Sequence, residues 1–291
     1  MKRIITKIFT NNSCSSLLMK TTLNLKFNNI SILFLLISSF SFCQEIQYHN
    51  PYLDLQPGKN YYLFGHDVVF RTEPDKKSKV IDVLEIGTEI EIIEKTDKSI
   101  DYYGIISNYY KVKYKDSYGY ILGSLISLEK KEKGKSTYFY TYGKEDDKYY
   151  LILRHLNSLK EINEVVVELK THDFSLEVYN NKGIDGIEHI IYVNYLAEAC
   201  GIEGGGIYLF QINDVLKKVF SISQISDAGV YWLHEELIFP KDEKGVKGKI
   251  VYEKVIGNYI DESTNWLETH KISRELEWKE DAILPKIELE N

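Results

Sequence analysis

Asp67-Val68-Val69-Phe70-Arg71-Thr72-Glu73-Pro74 opens the stretch that decides the fold of this 291-residue chain. Ser78-Lys79-Val80-Ile81 and Leu84 follow it, then Gly87-Thr88-Glu89-Ile90-Glu91-Ile92. Tyr109-Tyr110-Lys111-Val112, Gly119-Tyr120-Ile121 and Leu125 complete the block. Ile90 and Ile92 alternate with Glu89 and Glu91, the period of a half-buried strand. Pro74 and the polar run Asp75–Ser78 predict an exposed loop after the first strand. Gly87 before Thr88 suits a turn with positive φ, and Gly119 a tight bend before a closing strand. Val68, Phe70, Val80, Ile81, Val83, Leu84, Ile90, Ile92, Tyr110, Val112, Ile121 and Leu125 are the expected interior of a small barrel.

The order of these pieces resembles the bacterial SH3-like (SH3b) domain over residues 60–128. The likeness lies in an apolar-Arg strand end, a loop with Pro, a Gly-Thr turn, an aromatic-Lys-Val strand and a Gly-aromatic-apolar strand. Its core block covers about 65 of the 291 residues. Three departures stand out. Val69-Phe70-Arg71 replaces the family's frequent Asn-Val-Arg, and Tyr109 and Tyr120 occupy its usual Trp positions. Asp97–Ser107 is also longer than the family pattern. The resemblance implies a binding module of exported bacterial proteins, with peptidoglycan or a peptide as ligand. Tyr102, Tyr103, Tyr109, Tyr118 and Tyr120 are the candidate ligand groove, because aromatic rings give contact area at low entropic cost. The competing expectation is that most of these rings simply pack on the barrel.

Working outward, the chain stays β-patterned. Val165, Val167 and Leu169 alternate with Val166 and Glu168, and Ile187–Tyr195, Gly206–Ile212, Lys249–Val255 and Ser273–Lys279 read as further strands. Leu151–Leu159 is the best helix candidate. Glu129–Lys135 (EKKEKGK) has no apolar side chain and reads as a solvated linker. The expected organisation is therefore all-β. An SH3-like barrel at 48–128 and a linker at 129–135 precede a second antiparallel β domain, sandwich or blade-like, at 136–291.

The amino terminus reads as an export signal at 1–43. Ile30–Phe42 is thirteen residues without a charge, preceded by Lys20 and Lys26. A membrane span needs about 20 residues, so this length fits the apolar region of a signal peptide. Ser41 and Cys43 are small residues at −3 and −1 of a cut before Gln44, and Met19 is an alternative start. Lipidation at Cys43 is disfavoured by the bulky Phe42 before it. These features predict a periplasmic or extracellular protein with no membrane span in its mature chain. Residues 1–43 hold five basic residues and no Asp or Glu, so residues 44–291 carry 31 Lys and Arg against 43 Asp and Glu, a balance of −12. An acidic body argues against nucleic acid as a partner, because phosphate contacts need clustered cations. Of Cys14, Cys43 and Cys200 only the last would remain after cleavage, so no internal disulfide is expected.

The second domain offers few chemical motifs. Cys200 with His234 or His270 as base would make a cell-wall cysteine peptidase, the alternative from another functional class. Gly201, Gly204, Gly205 and Gly206 follow Cys200, however, which disfavours the helix start that such a nucleophile uses. The competing expectation is a small buried residue at a strand end. His234-Glu235-Glu236 lacks a second His four residues on, and the seven His residues show no metal-like spacing. Asn180–Gly186 contains one carboxylate, Asp185, and reads as a hairpin turn rather than a calcium loop. Gly204–Gly206 lacks the Lys and helix of a phosphate loop. No catalytic residue, metal or cofactor is expected. The predicted role is non-enzymatic binding to peptidoglycan or to a peptide or protein of the cell envelope.

Overall fold

A computed structural model describes residues 47–287 except 198–199, 228–229 and 262–265. The segment 1–43 read as an export signal, Cys43 included, lies outside the described residues. Among those residues there is no α-helix, so none long and apolar enough to cross a membrane.

The first sheet holds β1 (Asn60–Tyr62), β2 (Val68–Arg71), β3 (Val80–Leu84), β4 (Glu89–Tyr102), β5 (Ile105–Tyr114) and β6 (Ser117–Leu122). It is antiparallel, in the order β1-β4-β5-β6-β2-β3, and it curls around one core. Leu63, Val68, Phe70, Ile90, Ile92, Val112 and Ile121 are buried there, as period-two alternation requires. Gly119 acts by absence of bulk: a Cβ there would meet the Phe70 ring at 2.4 Å and the Arg71 carbonyl at 2.6 Å. The expected core needs one correction. Val80, Ile81 and Val83 are 45%, 40% and 48% exposed, because β3 is the outermost strand and nothing covers its outer side.

Glu129–Lys135 is no linker. Glu129–Lys133 forms strand β7, paired from Glu129↔Tyr140 to Lys133↔Ser136. Its charges suit an edge strand, which must discourage further pairing. The strand is also anchored from inside. The Glu129 carboxylate accepts from Tyr140 Oη at 2.8 Å, with Lys131 Nζ at 2.8 Å and His49 Nε2 at 3.3 Å. Burial alone would raise the Glu129 carboxyl, but these donors outweigh it and hold it down to about 2. Strands β8 (Ser136–Glu145), β9 (Lys148–Leu156) and β10 (Ile162–Glu168) complete a four-stranded sheet, β10-β9-β8-β7. The helix expected over Leu151–Leu159 is therefore strand β9. Leu151 and Leu153 face one core and Ile152 another, so the run is apolar on both faces and carries no strand period.

Eight further strands form one antiparallel meander: β11 (Phe174–Asn180), β12 (His189–Tyr195), β13 (Gly204–Ile212), β14 (Val215–Asp227), β15 (Tyr231–Ile238), β16 (Ile250–Asp261), β17 (Trp266–Lys279) and β18 (Ala282–Leu284). Its β11–β13 face packs on the four-stranded sheet. Tyr138, Tyr140, Leu151 and Leu153 meet Phe174, Leu176, Ile191, Val193 and Leu209 in one core, a sandwich arrangement. A second core joins Ile190, Tyr208 and Phe210 to Leu237, Phe239, Tyr252 and Leu276, so the meander also folds toward itself. Lys217 Nζ reaches the Asp281 carbonyl at 2.6 Å across that closure. The Asn180–Gly186 turn belongs to this core: Asn181 Oδ1 accepts from Gly183 N at 3.0 Å, and Ile184 is buried.

The barrel and the four-stranded sheet share a junction. Phe64, Phe139 and Ile152 are buried together. The Arg154 guanidinium lies 4.2 Å from the Phe64 ring centre, donates to the Phe64 carbonyl at 2.8 Å and pairs with Glu164 at 2.8 Å. One residue thus satisfies a barrel carbonyl from a strand of the next sheet.

Candidate functional site

The five tyrosines proposed for a groove fall into two places. In β5 and β6 the register pairs Tyr109 with Leu122, Lys111 with Tyr120 and Lys113 with Tyr118. Directly paired residues in an antiparallel sheet share a face. The opposite face, carrying Tyr110, Val112 and Ile121, is the core. Tyr109, Tyr118 and Tyr120 therefore lie on the outer face, with Lys111 and Lys113 between them. Arg71 pairs with Tyr120 from β2 and adds a third cation.

Exposure within this row is uneven. Tyr118 is 55% exposed, Tyr120 is half-buried and Tyr109 is buried. Burial pushes the Tyr109 hydroxyl up, and the nearby Arg71 charge partly opposes that. Arg71 is itself fixed, donating to the Ser78 carbonyl at 2.8 Å across the loop that Pro74 begins. Tyr109 is thus a floor of the face, while Tyr118 and Tyr120 offer ring surface. The cations were not picked out from sequence, although Tyr109, Lys111 and Lys113 share the strand period of two.

Tyr102 and Tyr103 stand apart, at the tip of the β4–β5 hairpin. Their rings meet edge to face at 4.7 Å. Tyr103 and Gly104 have φ of 52° and 73°, the left-handed pair that a two-residue hairpin needs. The tip is docked: Lys144 N donates to the Tyr103 carbonyl at 2.8 Å, and a Cβ on Gly104 would fall 1.9 Å from the Lys144 carbonyl. Burial, then the neighbouring Tyr103, push the Tyr102 hydroxyl up. The backbone of Tyr103 and Gly104 therefore seats the hairpin on β8, while the Tyr103 ring itself is 56% exposed.

Cys200 is exposed, in a turn before β13 rather than buried at a strand end. Gly201 beside it donates to the Ser226 carbonyl at 3.0 Å. His234 lies on β15 opposite Gln224, and His270 on β17 faces Glu268 at 3.2 Å. Among the described residues no hydrogen bond joins Cys200 to either histidine. One exposed His-carboxylate cluster exists among them, His66 with Asp67 and Glu85. Its Nδ1 meets Glu85 at 3.0 Å and its Nε2 meets Asp67 at 3.3 Å. Each ring nitrogen faces its own carboxylate.

Residues 67–127 match the family model described as the bacterial SH3 domain, which covers the tyrosine-cation face. The likeness read from the sequence is thereby shown. No curated protein and no solved structure matches the chain. A bacterial SH3 domain is consistent with a binding role.

Proposed function

We propose that this chain is an exported binding protein whose barrel holds carboxylate-bearing peptides of the cell envelope, peptidoglycan stem peptides above all. The observation that carries this reading is the outer face of β2, β5 and β6. Two accessible tyrosine rings alternate there with Arg71, Lys111 and Lys113, on a body with a balance of −12 beyond residue 43. Local cations on an acidic surface select ligands with carboxylates by complementarity and reject long polyanions. Tyrosine adds contact area at low entropic cost. The export signal read at residues 1–43 supplies the compartment in which such ligands occur.

The test is a pull-down with purified sacculi. Wild type is expected to sediment with the wall at low salt. Lys111→Gln with Lys113→Gln is expected to lower retention at least threefold, because each close charge pair contributes up to ~1 kcal/mol at a wet surface. Unchanged retention in that variant, or none in wild type, refutes the proposal.

A further inference from the structure

Before β1 the chain runs as an irregular strap, and this strap occupies a groove it fills poorly. His49 anchors one end: its amide donates to the Phe174 carbonyl at 2.7 Å, and the Phe174 amide returns a bond to His49 at 3.2 Å. Gly58 anchors the other end, donating to the Ile92 carbonyl at 2.7 Å. Between them Pro51-Tyr52-Leu53-Asp54-Leu55-Gln56-Pro57 crosses the start of β5. Its contacts there are those of a bound peptide. Asp54 Oδ1 accepts from Lys95 Nζ at 2.7 Å and from Tyr110 Oη at 3.3 Å. Leu55 N donates to Tyr110 Oη at 3.4 Å, and its side chain lies against the barrel core.

The fit is loose. Both bonds to Tyr110 are longer than the ~2.7–3.0 Å that such pairs prefer. Leu53 is 69% exposed although large and apolar, and Tyr52, 72% exposed, meets the body at its hydroxyl, 2.7 Å from Tyr149 Oη, and at the edge of its ring on His172. Beneath the strap a cavity of about 100 Å³ remains, lined on the body side by Ile105, Ser107, Ser124 and Thr141. That is room for several waters between the strap and the groove floor. Ser107 and Thr141 are themselves buried and polar, so the groove floor carries hydrogen-bonding groups.

We propose that the Pro51–Pro57 strap is an internal, displaceable ligand of an extended-peptide groove. The groove accepts a peptide with a carboxylate followed by an aliphatic residue, in the places of Asp54 and Leu55. The site is separate from the tyrosine-cation face, since it uses Lys95, Tyr110 and Thr141. A tethered ligand competes as though present at about millimolar concentration. Wild type therefore masks the groove, and loosening the strap opens it.

The experiment uses the full chain and a dye-labelled synthetic peptide, Pro-Tyr-Leu-Asp-Leu-Gln-Pro, followed by fluorescence anisotropy. Asp54→Ala with Leu55→Gly is expected to bind the peptide at least tenfold more tightly than wild type. Adding Lys95→Ala, or replacing Asp by Asn in the peptide, is expected to reverse that gain. A strap variant that binds no better than wild type, or that ignores the carboxylate, overturns the proposal. Hydrogen exchange on the unmodified protein guards against a folding artefact. Amides of 52–55 are expected to exchange at least 100-fold faster than those of β4, and equal protection also overturns it. Sacculus binding through Tyr118 and Tyr120 is expected to be unchanged in the strap variant, so failure of either site is told apart from failure of the other.

Discussion

Glu129→Gln is the most quantitative probe of how β7 is held. The ordinary glutamate carboxyl sits at 4.5, and in the fold it is held down to about 2 by His49, Lys131 and Tyr140 against the opposing cost of burial. Each pK unit is worth ~1.4 kcal/mol, so full realisation would give at most about 3 kcal/mol. The carboxylate keeps 29% of its side-chain surface in contact with water, and screening there leaves ~1–2 kcal/mol. Glutamine keeps the shape and one acceptor oxygen for Tyr140 but loses the charge. Because the folded value lies below the unfolded one, the contribution is complete above about pH 4.5 and fades as the pH falls toward 2. The expected result in urea melts is a loss of ~1–2 kcal/mol at pH 7 that shrinks to within error near pH 2.5. In a chain of this size that loss corresponds to a fall of about 2–8 °C in Tm. An equal loss at both pH values, or none at pH 7, would refute the electrostatic anchoring of β7.

Three other outcomes follow from the packing. Leu151→Ala removes a fully buried side chain from the core between the four- and eight-stranded sheets and is expected to cost ~2–5 kcal/mol in urea melts. Leu159→Ala, at a site 75% exposed, is expected to change stability by less than ~0.5 kcal/mol; similar costs at the two sites would contradict the strand assignment of β9. Arg154→Ala leaves the Phe64 carbonyl without its donor and is expected to separate barrel melting from sheet melting by two probes; a single coincident transition would show the junction is held by apolar contacts alone. Gly104→Ala places a Cβ 1.9 Å from the Lys144 carbonyl and is expected to undock the hairpin tip, read as faster hydrogen exchange at Lys144; unchanged protection there would contradict the docking.

The legible parts of the fold were those fixed by neighbours in sequence. Ile90, Ile92, Val112 and Ile121 alternate on strands with one buried face, so period two identified them. Where burial depended on distant segments the pattern misled. Leu151–Leu156 lies between two cores, which erased its alternation. Val80, Ile81 and Val83 are apolar and exposed, because sheet order, not local sequence, makes β3 an edge. Glu129 looked solvated, since its partner His49 lies 80 residues upstream and Tyr140 is known as a partner only from the β7–β8 pairing. The site shows the same limit. Five tyrosines could be picked out by type, but only register separates Tyr118 and Tyr120, on the β5–β6 face, from the Tyr102–Tyr103 pair at the hairpin tip. The strap at 51–57 has no period at all, and its contacts with Lys95 and Tyr110 are purely tertiary.

Paired aromatic substitutions test the central claim most directly. Sacculus binding isotherms are to be measured for wild type, Tyr118→Ala with Tyr120→Ala, and Tyr102→Ala with Tyr103→Ala. Truncating two aromatic contacts in a binding surface costs upward of ~1.4 kcal/mol. The first pair is therefore expected to weaken wall binding at least tenfold, and the second to change it less than twofold. Equal effects of the two pairs, or a loss confined to Tyr102 and Tyr103, would contradict a ligand face on β5 and β6.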